Sequence, residues 1–334
     1  MKAKIVNFFQ FLFFFAIGSV LLYLAFRGID LNKLIATLRH ADYEWVVLSL
    51  VFAFLALLFR AYRWQLLLGA INKHPHISRI LLAVNVGYLA NFAFPRIGEI
   101  TRCGMLHRTD KLPVDKVFGT VVAERMCDML MILLLLALLL ALKFETTGGF
   151  MMHNVIHPIK RMIPETAGIL WGIMVLLLVA AAFFLLWYIF RTQLSKITAL
   201  RKMKEWLTGM TQGMKSVLKL NHFGLFLLLN LLVYGMYFMQ TYLMFFALPH
   251  SASLGIADAL FILVVSSLSF VVPVQGGIGA YHVMVSLGLT VFGLSREEGM
   301  AYATISHSAT SLLFILLGAL SLLILYTRKF KNTP

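Results

Sequence analysis

Long apolar runs alternate with short polar segments along this chain, and they predict helices that cross a membrane. About 20 apolar residues are needed to span a ~30 Å hydrocarbon core at ~1.5 Å per residue. Runs of that length predict six full spans: residues 5–26, 45–68, 117–142, 168–190, 223–247 and 299–326. Two further apolar stretches are interrupted, and neither half of each is long enough to cross alone.

Each of the two interrupted stretches predicts a broken hairpin that enters the membrane and returns to the face from which it came, and the two hairpins enter from opposite faces. In residues 80–108, Pro95 and Gly98 break the helical pattern. In residues 256–293, the break is the segment PVQGGIGA at 273–280. If the first stretch crossed completely, the basic residues behind it would lie outside, against the positive-inside rule. Opposed broken hairpins are typical of an inverted repeat around a transport site, although no residue-level repeat is visible.

The distribution of basic residues also fixes an expected orientation. Residues 195–220 repeat apolar side chains every three or four positions, with basic residues between them, which predicts an amphipathic helix on the cytoplasmic surface. A solvated loop helix is the alternative interpretation. The apolar run behind Lys2 and Lys4 is expected to be an uncleaved span rather than a signal peptide. We therefore expect cytoplasmic termini and a single membrane domain over residues 1–334.

Composition supports this assignment and excludes several classes of protein. Of 334 residues, 60% are hydrophobic and 13% charged, whereas a soluble domain has about a quarter charged residues. The predicted fold class is therefore an all-α, polytopic integral membrane protein. The net charge of +15 is explained by basic residues that face anionic lipid headgroups, so no nucleic-acid partner is expected. No cofactor or metal is expected, because the two cysteines are isolated and no nucleotide-binding motif occurs.

Charged residues flank the first break. Arg96 lies in it, and Glu99 and Arg102 follow three residues apart, so that they can pair on one helix face. Irregular backbone survives at membrane depth only when it is buried in protein or lines a wet cavity. The alternative is an ordinary loop at the level of the cytoplasmic headgroups.

A second charged group stands early in the predicted span 117–142. Glu124, Arg125 and Asp128 precede a long uncharged run. A charge within a span costs ~2.5–3.5 kcal/mol on insertion scales, so these side chains should face protein or water. A shallower helix start with snorkelling side chains is the alternative. Arg60 and Arg63 present the same ambiguity, because both share one helix face and could also snorkel to the headgroups.

We expect the two charged groups to meet. Arg96 or Arg102 would pair with Glu124 or Asp128. Arg125 would pair with Glu99. At least one arginine would then remain to hold a phosphate, for which a guanidinium fork is well shaped.

The second break offers backbone rather than side-chain donors. Gly276, Gly277 and Gly279 expose N–H groups ahead of a helix, which attracts anions, although tight helix packing is an equally good explanation. His282 could titrate or hydrogen-bond a headgroup, or be purely structural. His307 is a weaker candidate of the same kind.

Four segments together resemble the transmembrane region of lysylphosphatidylglycerol synthases and its stand-alone, flippase-like relatives. They are RAYRWQLLL, NFAFPRIGEITR, ERMCD and PVQGGIGAYH. The resemblance implies a multi-pass protein of the bacterial inner membrane. In two-domain members the membrane part is held to move an aminoacylated phospholipid between leaflets, while a soluble domain transfers the amino acid. We expect no such soluble domain here. The family's glycine motif usually ends in an acidic residue where this chain has His282, which puts a cation-binding role there in doubt.

The sequence therefore predicts a lipid translocase or lipid-binding membrane protein. Its ligand would be the headgroup of an anionic or aminoacylated phospholipid, or of a polyprenyl phosphate. The candidate substrate-binding residues are Arg96, Glu99, Arg102, Glu124, Arg125, Asp128, Gly276, Gly277, Gly279 and His282. An intramembrane enzyme acting on lipid-linked phosphate or sugar stays open, as does a non-catalytic subunit that positions a glycosyltransferase. No catalytic residue is assigned, and a homodimer is left open.

Overall fold

The computed structural model describes residues 30–157 and 207–327, together with a few positions between 16 and 27. Throughout these residues the regular secondary structure is helical. The predicted span 168–190 lies outside the described residues, as do most of 5–26 and the first part of the 195–220 helix.

The described helices differ widely in length. In chain order they are α1 (Leu31–Arg39), α2 (Tyr43–Gly69), α3 (Ile77–Ala93), α4 (Gly98–Asp110), α5 (Val114–Leu142), α6 (Phe144–Met151), α7 (Phe223–Phe245), α8 (Ile256–Ser269), α9 (Ala280–Thr290) and α10 (Arg296–Thr327). Residues 207–214 are also helical and lead through the short turn Lys215–Lys219 towards α7. Helices α2, α5, α7 and α10 are long and apolar enough to cross a membrane. The all-α, polytopic membrane fold expected from the sequence is therefore confirmed.

Helices α3 and α4 form a first hairpin, whose tip is residues 94–97. Asn91 and Gly98 hold the two helices of this hairpin together next to the tip. The Asn91 side-chain oxygen accepts the Gly98 backbone N–H at 2.7 Å. A Cβ on Gly98 would lie 2.2 Å from the carbonyl oxygen of Gly87, so only glycine allows the two helices to approach this closely.

Helices α8 and α9 form a second hairpin, whose tip is residues 270–279. Gly276, Gly277 and Gly279 all have positive φ, which lets the chain turn between two short helices. A Cβ on Gly276 would lie 2.5 Å from the ring of Phe92 beside the first tip. The two tips therefore contact each other.

The remaining helices surround these hairpins. Helices α2 and α7 lie side by side, α10 packs against α3 and α9, and α5 touches α2, α4 and α8. One apolar core lies mainly between α7, α8, α9 and α10, and a second between α2, α3, α4 and α5. Trp64, which is fully buried in the second core, borders the charged residues considered below.

The described part of the predicted amphipathic helix packs directly against α5. A Cβ on Gly119 would lie 2.1 Å from the Met210 carbonyl oxygen, and one on Gly213 would lie 2.1 Å from that of Lys116. Backbones that approach this closely need small residues at the contact. One face of residues 207–214 is therefore packed closely against α5.

Candidate functional site

Seven charged side chains meet where α2, α4 and α5 pack together, and we call them the charge cluster. They are Arg60, Arg63, Glu99, Arg102, Glu124, Arg125 and Asp128. Helix spacing explains why three short segments are enough to bring these seven side chains together. The two arginines of α2 are three residues apart, and the two carboxylates of α5 are four residues apart, so each pair shares one helix face.

Glu124 is the centre of the cluster and is fully buried. Its Oε1 lies 2.9 Å from Arg60 Nε and 2.9 Å from Arg63 Nη2. Its Oε2 lies 2.8 Å from Arg102 Nη2. One carboxylate thus forms ion pairs with three arginines from two different helices, so it is paired as a buried charge must be.

Asp128 bridges the same two arginines of α2 one turn further along α5. Its Oδ2 lies 3.0 Å from Arg60 Nη2, and its Oδ1 lies 2.8 Å from Arg63 Nη1. Arg125 Nη1 is 3.5 Å from Oδ2 of the same carboxylate. The arginines of α2 are therefore held by both carboxylates at once.

Uncharged polar side chains from α3 and α7 complete the surroundings. Arg60 donates to the hydroxyl groups of Tyr88 at 3.1 Å and Tyr237 at 3.3 Å. Arg63 donates to the side-chain oxygen of Asn230, a polar residue within the apolar run of α7. Tyr234 donates to the backbone oxygen of Asp128 at 3.0 Å.

The outer edge of the cluster is formed by Arg125 and Glu99. Arg125 Nη2 lies 2.8 Å from Glu99 Oε1, and the two side chains are 45% and 21% exposed. Beside this pair is a small open cleft, lined by Arg60, Val84, Gly87, Tyr88, Asn91, Gly98, Glu99, Arg102 and Arg125. The space open to the centre of a water-sized molecule is about 20 Å³, far below the range for a drug-sized ligand pocket, so the cleft suits only a small polar group.

Two of the residues that line the cleft each have a polar atom with spare bonding capacity. Within the described part of the chain, Arg102 Nε and Glu99 Oε2 are buried and make no hydrogen bond. Arg102 is only 4% exposed, and its guanidinium lies over the ring of Trp64 at 4.5 Å from the centroid. The cluster holds four arginines and three carboxylates, so it has one positive charge in excess when all are ionised.

The structure pairs most of the charges that the sequence was expected to pair. Arg125 contacts Glu99, and Arg102 contacts Glu124. Arg96 is different, because it is exposed and donates to the backbone oxygen of Val271 at 2.8 Å. Its backbone has φ of 61°, a left-handed turn conformation within the first tip. Arg96 therefore belongs to the contact between the tips and not to the charge cluster.

Sequence reasoning left the roles of Arg60 and Arg63 open, and it missed Asn230. The structure shows both arginines buried and ion-paired, so the snorkelling interpretation is wrong for them. The signal that was available is their i, i+3 spacing on one face of an apolar helix. Asn230, a polar residue between leucines in the apolar run of α7, was a second signal.

The glycines of the second tip and His282 lie away from the cleft. None of them is among the residues that line it. His282 is buried on α9, and its ring centroid is 5.0 Å from that of His307 on α10. The structure therefore separates these candidates into a charge cluster and a second polar group at the other hairpin.

The described parts of the chain contain no set of side chains that could bind a metal ion. Residues 30–157 and 207–327 contain no group of three or more His, Cys, Asp or Glu side chains that could hold a metal ion. Both inner carboxylates are occupied by arginines instead.

Comparison with known proteins identifies the family. The model of the lysylphosphatidylglycerol synthase transmembrane region matches residues 11–318. The chain belongs to this family. A UPF0104 membrane protein of Methanocaldococcus jannaschii is 28% identical over 130 residues, which cover 38% of this chain and 36% of that relative. No solved structure matches the chain. Family membership and the apolar helices together make this a multi-pass membrane protein.

Proposed function

We propose that the protein binds the phosphate of a membrane lipid at the charge cluster and moves the headgroup between the two leaflets. The observation that carries this proposal is the excess positive charge beside the cleft, where buried Arg102 keeps an unused donor nitrogen. A guanidinium matches the geometry of phosphate oxygens and stays ionised when it is buried.

The charge balance favours a ligand that brings one negative charge. A phosphodiester carries one, and it would offset the one positive charge that the three carboxylates leave over. A buried charge without a partner is strongly destabilising, so binding gains from this compensation. Arg102 and Arg125 are the two arginines of the cluster that border the cleft from α4 and α5.

The surroundings suit a lipid whose chains remain in the bilayer. Met126, Met129 and Leu130 follow Arg125 on α5, and their side chains are 52%, 62% and 59% exposed. Apolar side chains exposed on a membrane helix contact acyl chains. The cleft holds only a small polar group, so the phosphate would enter it while the rest of the lipid stays outside.

Movement of the hairpins would change the exposure of the phosphate. The cleft is lined by both helices of the first hairpin and by α2 and α5, so rocking of that hairpin opens or closes it. Glu99, with its unused oxygen, would receive a cationic part of the headgroup or a proton. The proposal covers anionic and aminoacylated phospholipids and polyprenyl phosphates, in a bacterial inner membrane with cytoplasmic termini.

Native mass spectrometry after gentle detergent extraction tests this function. We expect the wild-type protein to retain one class of phospholipid or polyprenyl phosphate, and Arg125→Ala to lose it. Arg108→Ala is the matched control, because Arg108 is exposed on α4 outside the cleft. It should retain the lipid. A charge swap, Glu99→Arg with Arg125→Glu, should restore part of the retention.

Two outcomes would contradict the proposal. One is a wild-type protein that retains no lipid class selectively, which would favour a scaffold that positions another membrane enzyme. The other is equal lipid retention in Arg125→Ala and wild type, with both proteins monodisperse on gel filtration.

A further inference from the structure

The second hairpin carries a buried polar group that the proposed lipid site does not use. His282 on α9 and His307 on α10 are 5% and 8% exposed. Their rings meet edge to face with centroids 5.0 Å apart. We call these two residues the histidine pair.

The protonation of His307 in this arrangement follows from its partner. Its Nε2 lies 2.9 Å from the backbone oxygen of Gly276. A carbonyl oxygen only accepts hydrogen bonds, so His307 Nε2 carries the hydrogen and donates it. His282 Nδ1 is buried and, within the described residues, makes no hydrogen bond. The pair thus contains an imidazole nitrogen that is available to a proton.

Among the described residues, the surroundings of the pair offer no negative charge to offset that proton. Tyr281 lies against both rings, and its hydroxyl bonds to Ser306 Oγ at 3.0 Å. Tyr302 on α10 donates to a backbone oxygen of α7, and Phe26 lies 6.0 Å from the His282 ring. The charged side chain at the facing tip is Arg96. Throughout residues 30–157 and 207–327, no ion pair includes either histidine.

We propose that the histidine pair is a proton-binding site that controls the contact between the two hairpin tips. Imidazole is the side chain that titrates near neutral pH. A charged imidazole without a counter-ion is costly in a buried site, so the proton binds better when water reaches the pair. Protonation therefore favours an arrangement in which the second tip has moved away.

A short series of contacts joins the pair to the lipid cleft. His307 holds Gly276, and Gly276 packs against the ring of Phe92. Phe92 is the neighbour of Asn91, which lines the cleft and fixes the start of α4. Separation of the tips would also break the bond from Arg96 to Val271. Falling pH should therefore loosen the first hairpin at the cleft, because a bound proton shifts the equilibrium towards the conformation that binds the proton better.

The physiological meaning of this site rests on the proposed lipid function, since a proton that moves the tips would couple headgroup movement to a proton gradient. The conformational statement itself can be measured without any lipid. The two claims are therefore tested separately in the same samples.

Spin labels on Ile97→Cys and Val272→Cys report the separation of the tips, because both positions are partly exposed on opposite sides of the contact. The background carries Cys103→Ala and Cys127→Ala. Pulsed electron–electron distance measurements should show a longer-distance population that is at least about threefold larger at about pH 5.5 than at about pH 8. His282→Gln combined with His307→Gln should abolish the response, and glutamine at 307 keeps an N–H donor for Gly276. His250→Gln is the matched control, because His250 pairs with Glu298 away from the tips.

A pH response that is equal in the double variant and in wild type would overturn the proposal, as would a wild-type protein without a response. Lipid retention by native mass spectrometry separates this failure from that of the proposed function. Retained lipid without a pH response contradicts only the histidine site. A pH response that depends on both histidines supports the site even where no lipid is retained.

Discussion

Removal of the central carboxylate should destabilise the protein far more than removal of the outer one. Glu124 is fully buried and forms ion pairs with Arg60, Arg63 and Arg102. In Glu124→Gln the excess positive charge of the cluster rises from one to two. Loss of one partner from a buried ion pair costs about 3–5 kcal/mol. At an unfolding entropy of about 2.1 cal/mol/K per residue, each kcal/mol shifts the melting temperature of a 334-residue chain by about 1.4 °C, so it should fall by at least about 4 °C.

Glu99→Gln also removes one carboxylate charge from the cluster, but at a position that is more exposed to solvent. Glu99 and Arg125 are 21% and 45% exposed, so solvent screens the pair and its loss should cost no more than about 1 kcal/mol. Glu145→Gln is the matched control, because Glu145 is exposed on α6. Thermal unfolding in detergent, followed by fluorescence-detected gel filtration, measures all three variants.

A compensating substitution tests whether charge balance is the cause. Arg102→Met in the Glu124→Gln background returns the excess to one positive charge and keeps an apolar side chain against Trp64. The double variant should be more stable than Glu124→Gln alone, since residues in one network do not behave additively. The reasoning is refuted if the free energy of unfolding of Glu124→Gln lies within about 1 kcal/mol of the wild-type value. It is also refuted if the loss of stability in the double variant equals the sum of the losses in the two single variants.

Two further predictions follow from packing. Gly98→Ala should loosen the first hairpin and lower the melting temperature, because its Cβ would lie 2.2 Å from the Gly87 oxygen, whereas Gly104→Ala on the same helix has no heavy atom within 4 Å and should be neutral. Equal melting temperatures for the two variants would contradict the close helix contact. Cys127 is partly exposed and Cys103 is buried, so a membrane-permeable maleimide should modify Cys127 first under native conditions, as peptide mass spectrometry can check. Faster modification of Cys103 would contradict the described packing of α4.

The parts of the fold that could be predicted from sequence depend on local patterns. Apolar length alone predicts the positions of α2, α5, α7 and α10, because each helix must satisfy its own backbone within the bilayer. The hairpin breaks follow from proline and glycine, which interrupt helices wherever they occur. The meeting of Glu99 with Arg125 was expected because charges at membrane depth need partners.

The parts that could not be predicted depend on contacts between distant segments. An arginine at the end of an apolar helix has the same local pattern whether it snorkels or turns inward. Arg63 turns inward because Asn230, 167 residues away, and Glu124 receive it. Arg96 was expected to pair with a carboxylate, but its left-handed backbone within the tip directs it to Val271. None of these three partners can be identified without knowing which helices are neighbours.

The charge cluster divides its arginines between two tasks. Arg60 and Arg63 are each bound by both Glu124 and Asp128, and by polar groups of α3 and α7, so they join α2 to α5. Arg102 and Arg125 each contact fewer partners, and they border the cleft together with Arg60. A site with only binding arginines would not be stable in a membrane without its ligand, because buried charges need compensation. A site with only compensated arginines would leave no charge for a phosphate. The imbalance of one charge, placed at the cleft edge, satisfies both requirements.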